Sequence, residues 1–108
     1  MSASIAASAL LGRIRAELEG AFGGRLRSVL LHGSEARGTA TKESDVDVLV
    51  VLEGPVMFWD DLGVITRAVY PLVLETGRLI HARPVDAARF DAGGFPLYDR
   101  ARREGILA

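Results

Sequence analysis

The chain is predicted to fold as an α/β protein with a small mixed β-sheet and helices packed mainly on one face. Three observations carry this expectation. Residues 25–31 and 45–52 are short apolar runs rich in Val and Leu, as strands passing through a core are. Residues 4–20 and 57–76 place their apolar side chains at helical spacing. The two kinds of segment alternate along 108 residues, which is enough chain for one core and is read as one domain, 1–108.

The elements follow in order. Ile5, Leu10, Leu11, Ile14 and Leu18 share one face of a first helix, and Arg13, Arg15, Glu17 and Glu19 fill the other. The first strand alternates at Arg25-Leu26-Arg27 and then turns continuously apolar through Val29-Leu30-Leu31, closing at His32-Gly33-Ser34. Residues 35–44 have no apolar period and read as a loop, with room for a short helical turn. The run from Asp45 to Leu52 is the second strand, and Gly54-Pro55 marks its end. A second helix over residues 57–76 turns Phe58, Leu62, Ile65, Val69, Leu72 and Val73 inward. Pro71 within it lacks an amide hydrogen, which predicts a kink or break near Tyr70. Residues 78–85 make a third strand whose Pro84 suits a sheet edge, and residues 96–104 a last helix with Pro96 at its start and Gly105 after its end.

Composition narrows the function. The apolar share of 49% and charged share of 25% are those of a globular protein. A net charge of −1 with scattered arginines gives no basic field for nucleic acid. With no cysteine there is no disulfide scaffold or thiolate zinc site. No leader peptide and no run of about 20 apolar residues is visible, so a cytoplasmic location and no membrane partner are expected.

The chemistry concentrates between Gly33 and Asp47. Asp45 and Asp47 are two apart on a strand, so they project from one face. Two adjacent carboxylates repel unless a cation neutralises them, and hard divalent ions such as magnesium take carboxylate oxygens. Gly33, without a side chain, lets a phosphate approach the backbone, and the Ser34 hydroxyl can bond phosphate oxygens. If the two strands are neighbours, phosphate and metal meet. Arg37 either contacts phosphate or balances Glu35 and Glu43. His32 is expected to be packed or hydrogen-bonded at its strand end, Asp60 and Asp61 to serve the start of a helix, and Arg100, Arg102 and Arg103 to form a solvated helix face.

Glycine-serine, ten residues, then aspartate-any-aspartate, here Gly33-Ser34 and Asp45-Val46-Asp47, resembles the signature of the DNA polymerase beta-like nucleotidyltransferase superfamily, and in particular its minimal nucleotidyltransferases. Arg37-Gly38, Ser44 and the apolar run from Val48 to Val51 are similar as well. The resemblance implies a polymerase beta-like palm fold and transfer of a nucleoside monophosphate from a triphosphate, with ATP as the expected substrate. It implies two magnesium ions on Asp45 and Asp47, with Gly33, Ser34, Arg37 and Ser44 at the nucleotide. It further implies a third carboxylate on a later strand, as metal ligand and base. Residues 78–85 contain no acid; His81 and Asp86 are the groups at hand.

Small members of this family lack an acceptor domain, so an acceptor pocket would come from a partner or a second copy in a homo-oligomer. They are commonly paired with a helical HEPN-type toxin, which the nucleotidyltransferase neutralises as an antitoxin by adenylylation. The expectation is therefore a protein adenylyltransferase of that kind. The alternative is a non-catalytic relative that binds nucleotide or masks its partner by contact.

Overall fold

The structure, a computed structural model, describes residues 5–33, 36, 38 and 45–108. Helix α1 spans Ile5–Phe22 and a 3-10 turn, Gly23–Arg25, leads into strand β1, Leu26–His32. Strand β2 is Val46–Leu52, helix α2 Phe58–Thr76 and strand β3 Ile80–Asp86. Helices α3, Ala87–Ala92, and α4, Pro96–Glu104, precede a two-residue strand β4, Ile106–Leu107. None of the described helices is long and apolar enough to cross a membrane.

The described strands form one mixed sheet in the order β3-β2-β1-β4. β1 runs antiparallel to both β2 and β4, whereas β2 and β3 are parallel. Parallel neighbours require a crossover, and α2 supplies it. The long helices α1 and α2 cover one face, where Leu10, Ile14 and Leu18 meet Val29, Leu31, Val48, Val50, Ile65 and Leu72. The short helices α3 and α4 cover part of the other, packing Phe90, Tyr98 and Ala101 on Leu30, Leu49 and Val85. Alternation along β2 thus sends Val48 and Val50 to one core and Leu49 to the other. That two-sided burial is why its sequence reads as an unbroken apolar run.

Sequence expectation and structure differ at identifiable places. The predicted break near Tyr70 does not occur: α2 is continuous through Pro71. Pro71 lies on the exposed side of the helix, so water can satisfy the carbonyl that loses its amide partner. Phe58, expected inward, is 39% exposed. α3 and β4 were not anticipated. α3 is six residues long, started by Asp86, whose carboxylate accepts from the amides of Ala88 and Arg89. β4 is too short to show a period.

One ion pair ties the β-strands to the crossover. Asp61 is only 6% exposed. Both its oxygens accept from Arg25, at 3.0 and 3.1 Å, and it also accepts from the Met57 amide at 3.1 Å. Arg25 additionally donates to the carbonyls of Glu53 and Pro55. The start of β1, the turn after β2 and the first turn of α2 are therefore held together, which is the helix-start role expected of this acid plus a tertiary one. The Arg25 hydrogen bonds hold the Asp61 carboxyl below the ordinary carboxylate range, with the Met57 amide and the guanidinium charge adding to the effect.

Asp61→Ala is expected to destabilise the fold by about 1–3 kcal/mol, the cost of a lost charge-assisted bond with its partner left at a half-exposed edge. Because the folded carboxyl is the more acidic, its contribution is complete above the ordinary carboxylate pKa and fades as pH falls through the lower folded value. Urea midpoints at neutral pH and in acid should show the mutational difference shrinking in acid. Gly105→Ala is expected to cost about 1–3 kcal/mol by overpacking. Gly105 has an ordinary φ of −76°, but a Cβ there would sit 2.8 Å from Leu30 and against the Ala101 carbonyl; thermal melts would read the loss.

Candidate active site

The sheet register assembles the site. In the antiparallel ladder His32 faces Asp47, and in the parallel ladder Asp47 faces His81. Directly paired residues share a face, so His32, Asp47 and His81 form one row across three strands, spanning roughly 10 Å. Asp45, two residues before Asp47, belongs to the same face. The two strands are neighbours, which the sequence left as a condition, and Gly33 at the end of β1 lies beside the start of β2.

Gly33 is held to glycine twice over. Its φ is +73°, a region that costs other L-residues about 1–2 kcal/mol. A Cβ there would also lie 2.6 Å from the Asp47 Oδ2. The backbone at Gly33 therefore runs against the Asp47 carboxylate, where a phosphate bonded to one would be within reach of a cation on the other. Ser34, Arg37 and Ser44 lie outside the described residues.

The Asp45 carboxylate sits 3.1 Å from His81 Nε2. The row opens into a cleft of about 420 Å³ bounded by His32, Asp47, His81, Arg83, Phe58, Leu62 and Leu97. It exists because α3 and α4 pack on the Leu30, Leu49 and Val85 end of the sheet face and leave the Asp47 end open. Phe58, Leu62 and Leu97 give it an apolar wall, and Arg83, two residues beyond His81 on the same face of β3, adds a guanidinium.

The donor set suits a divalent cation. Asp45 and Asp47, two residues apart at the entry of β2, are hard oxygen donors. Among the described residues no three His, Cys, Asp or Glu side chains are already drawn around one point. That is compatible with magnesium, which is held by one or two carboxylates and completes its shell with phosphate oxygens and water. Asp86 is not part of this group: it pairs with Leu52 at the far end of β3, five residues or roughly 16 Å from His81, and caps α3. Asp60 and Asp61 belong to the start of α2, and Arg102 donates to the Phe90 carbonyl while stacking on the Phe90 ring, so the expected solvated face of the last helix holds only in part.

Residues that sequence reasoning left aside are Arg83, Phe58, Leu62 and Leu97 as cleft walls. The two-residue spacing of His81 and Arg83 was a usable signal that they share a face. Their alignment with Asp47 was not, because it depends on the β2–β3 register.

Comparison with known proteins bears on the same region. The nucleotidyltransferase domain family model matches residues 11–101. A protein of Methanocaldococcus jannaschii, provisionally named a protein adenylyltransferase, is 38% identical over 65 residues; the alignment spans 60% of this chain and 59% of that protein. Among solved structures, a provisionally named nucleotidyltransferase from Sulfolobus solfataricus superimposes with a TM-score of 0.62 at 19% identity, over 94% of this chain and 80% of its own. A toxin-antitoxin structure with AMP-PNP gives a TM-score of 0.62 at 16% identity, over 89% and 69%. These two share the fold. The family match takes in the three strands that carry the row His32, Asp47 and His81 and the helix that joins β2 to β3, and this chain belongs to the nucleotidyltransferase domain family.

Proposed function

We propose that this chain transfers AMP from ATP to a hydroxyl of a partner protein, with Asp45 and Asp47 holding the divalent cations of the reaction, magnesium in the first instance, and Gly33 and Ser34 the outgoing phosphates. The observation that carries the reading is the close approach of the Gly33 backbone to the Asp47 carboxylate at the open end of the sheet. Cations bound there neutralise triphosphate charge and favour in-line displacement at the α-phosphorus. The acceptor oxygen bonds to that phosphorus, the bond to the bridging oxygen breaks, pyrophosphate leaves and the hydroxyl proton passes to solvent. In-line geometry sets attacking and leaving groups on opposite sides. With the phosphates at Gly33, on the β1 side of Asp47, the acceptor enters from the β3 side, past Arg83, Phe58 and Leu62. The toxin-antitoxin neighbour with AMP-PNP and the adenylyltransferase-named relative favour a partner protein as acceptor. An antitoxin modifying a helical HEPN-type toxin in the cytoplasm is the most specific form of this reading. Ser44 and Arg37 are proposed to complete the nucleotide contacts.

A second reading has its own observation. β3 presents no carboxylate beside Asp47; its ladder partner is His81. A relative that binds nucleotide or partner without turnover would tolerate this. The two separate on one experiment: radiolabelled ATP with the co-expressed partner. The enzyme reading predicts label on the partner, abolished by chelation and reduced about 100-fold or more by Asp45→Asn with Asp47→Asn, as expected for loss of groups that stabilise transition-state charge. Partner neutralisation that survives this double substitution, with no label in the unaltered protein, would select the contact reading.

Gly33→Ala should lower labelling about tenfold or more. Its folding stability should fall by at least the about 1–2 kcal/mol that one strained φ costs, since the Asp47 carboxylate must also shift to clear the new Cβ. Unchanged labelling would remove Gly33 from the phosphate site.

A further inference from the structure

The cleft beside Asp47 does not end at Arg83. A second groove of about 370 Å³ continues from it, and Phe58 and Arg83 line both. Its walls include Val56, Val85 and Tyr98, with Arg89 of α3 beyond the end of β3 and Asp86 engaged as the α3 cap. The two arginines differ from those that hold the fold together. Arg13, Arg15, Arg25, Arg27 and Arg102 each meet a carboxylate, whereas Arg83 and Arg89 are exposed and make no ion pair among the described residues. Arg89 stacks over the Phe95 ring at 5.1 Å, which occupies the flat of its guanidinium and leaves the N–H donors at its edge available. Arg83 stands two residues along β3 from His81, the ladder partner of Asp47, a separation of roughly 7 Å.

We propose that the acceptor hydroxyl is carried by an extended, acidic segment of the partner protein, which lies along this groove with its carboxylates on Arg83 and Arg89. The proposal rests on the transfer reading and names the class of acceptor it serves. A carboxylate accepts two parallel bonds from a guanidinium, and Val56, Phe58 and Val85 on the same walls shield such a pair from water more than an open surface would. An extended chain advances about 3.3 Å per residue, as β3 does. A hydroxyl at Asp47 therefore places a residue two or three positions away at Arg83, and one further along at Arg89. A basic segment would set like charges against both arginines. The groove thereby selects the acceptor by the acids that flank its hydroxyl.

The test is fluorescence anisotropy of labelled nine-residue peptides bound to the intact chain with AMP-PNP and Mg2+. Each has a glycine and alanine background, a central serine, and two glutamates or two lysines at the second and fourth positions to one side of it. The glutamate peptides should bind about tenfold or more tighter than the lysine ones. Arg83→Glu with Arg89→Glu should reverse that order, whereas Arg100→Glu with Arg103→Glu, the same change of net charge on α4 outside the groove, should preserve it. Absence of glutamate-peptide binding, no preference between the two sets, an order that survives Arg83→Glu with Arg89→Glu, equal loss in both double variants, or a nine-nucleotide oligothymidylate binding as tightly as the glutamate peptides overturns the proposal. Transfer is read separately with radiolabelled ATP and the co-expressed partner. Label undiminished in the Arg83→Glu, Arg89→Glu protein overturns the groove alone. No label in the unaltered protein, with glutamate-peptide binding intact, overturns transfer and leaves the groove as a binding site. Circular dichroism of each variant verifies the fold.

Discussion

The candidate site depends on the register of β2 between β1 and β3. Val46, Val48, Leu49, Val50, Val51 and Leu52 are all buried, so the strand is fixed from both faces. Strand side chains alternate, so a slip of one residue would exchange the faces. It would send Asp47 into the packed layer under α1 and α2 and turn Val48 to the cleft. Burial of an unpaired carboxylate is costly enough to forbid that arrangement. The apolar sequence of β2 therefore aims its polar residues as firmly as it builds the core.

The rest of the architecture determines what surrounds that strand. Helix α2 carries the chain from β2 to its parallel neighbour, and the Arg25–Asp61 pair anchors the helix start to β1 and to the turn after β2. This brings β3 in with His81 and Arg83 on the Asp47 face. On that face α3 and α4 are short and pack at one end only, so the opposite end stays open as the cleft. Gly105 lets the last turn of α4 close down on Leu30 before Ile106 and Leu107 join β1. The same covering that completes the second core thus defines the limit of the site.

Much of this was legible in the residues. Helical spacing marked α1 and α2, continuous Val and Leu marked β2, and the interval between Gly33-Ser34 and Asp45-Val46-Asp47 marked the family and a candidate site. What could not be read was anything that depends on alignment between distant segments. His81 was visible as a histidine on a strand, but its place opposite Asp47 follows from the parallel β2–β3 register, to which no local pattern points. Asp86 looked equally available and proved to be a helix cap. Pro71 suggested a break because its lost hydrogen bond is a local fact, whereas its exposed position, which makes the loss tolerable, is a tertiary one. β4 was beyond reach because two residues carry no period, and its pairing is imposed by β1.

Membership of the nucleotidyltransferase domain family and the geometry of the row His32, Asp47, His81 point to one end of one sheet face as the proposed place for cation and triphosphate. The most direct measurement is paramagnetic broadening of backbone amide resonances on adding Mn2+ with AMP-PNP to the 15N-labelled protein. Broadening should centre on Gly33, Asp47 and His81 and fade toward Leu52 and Asp86 at the other end of the strands. Broadening centred on the start of α2 at Asp60 and Asp61, or on helix α3 at Phe90 and Asp91, would contradict the assignment of the site.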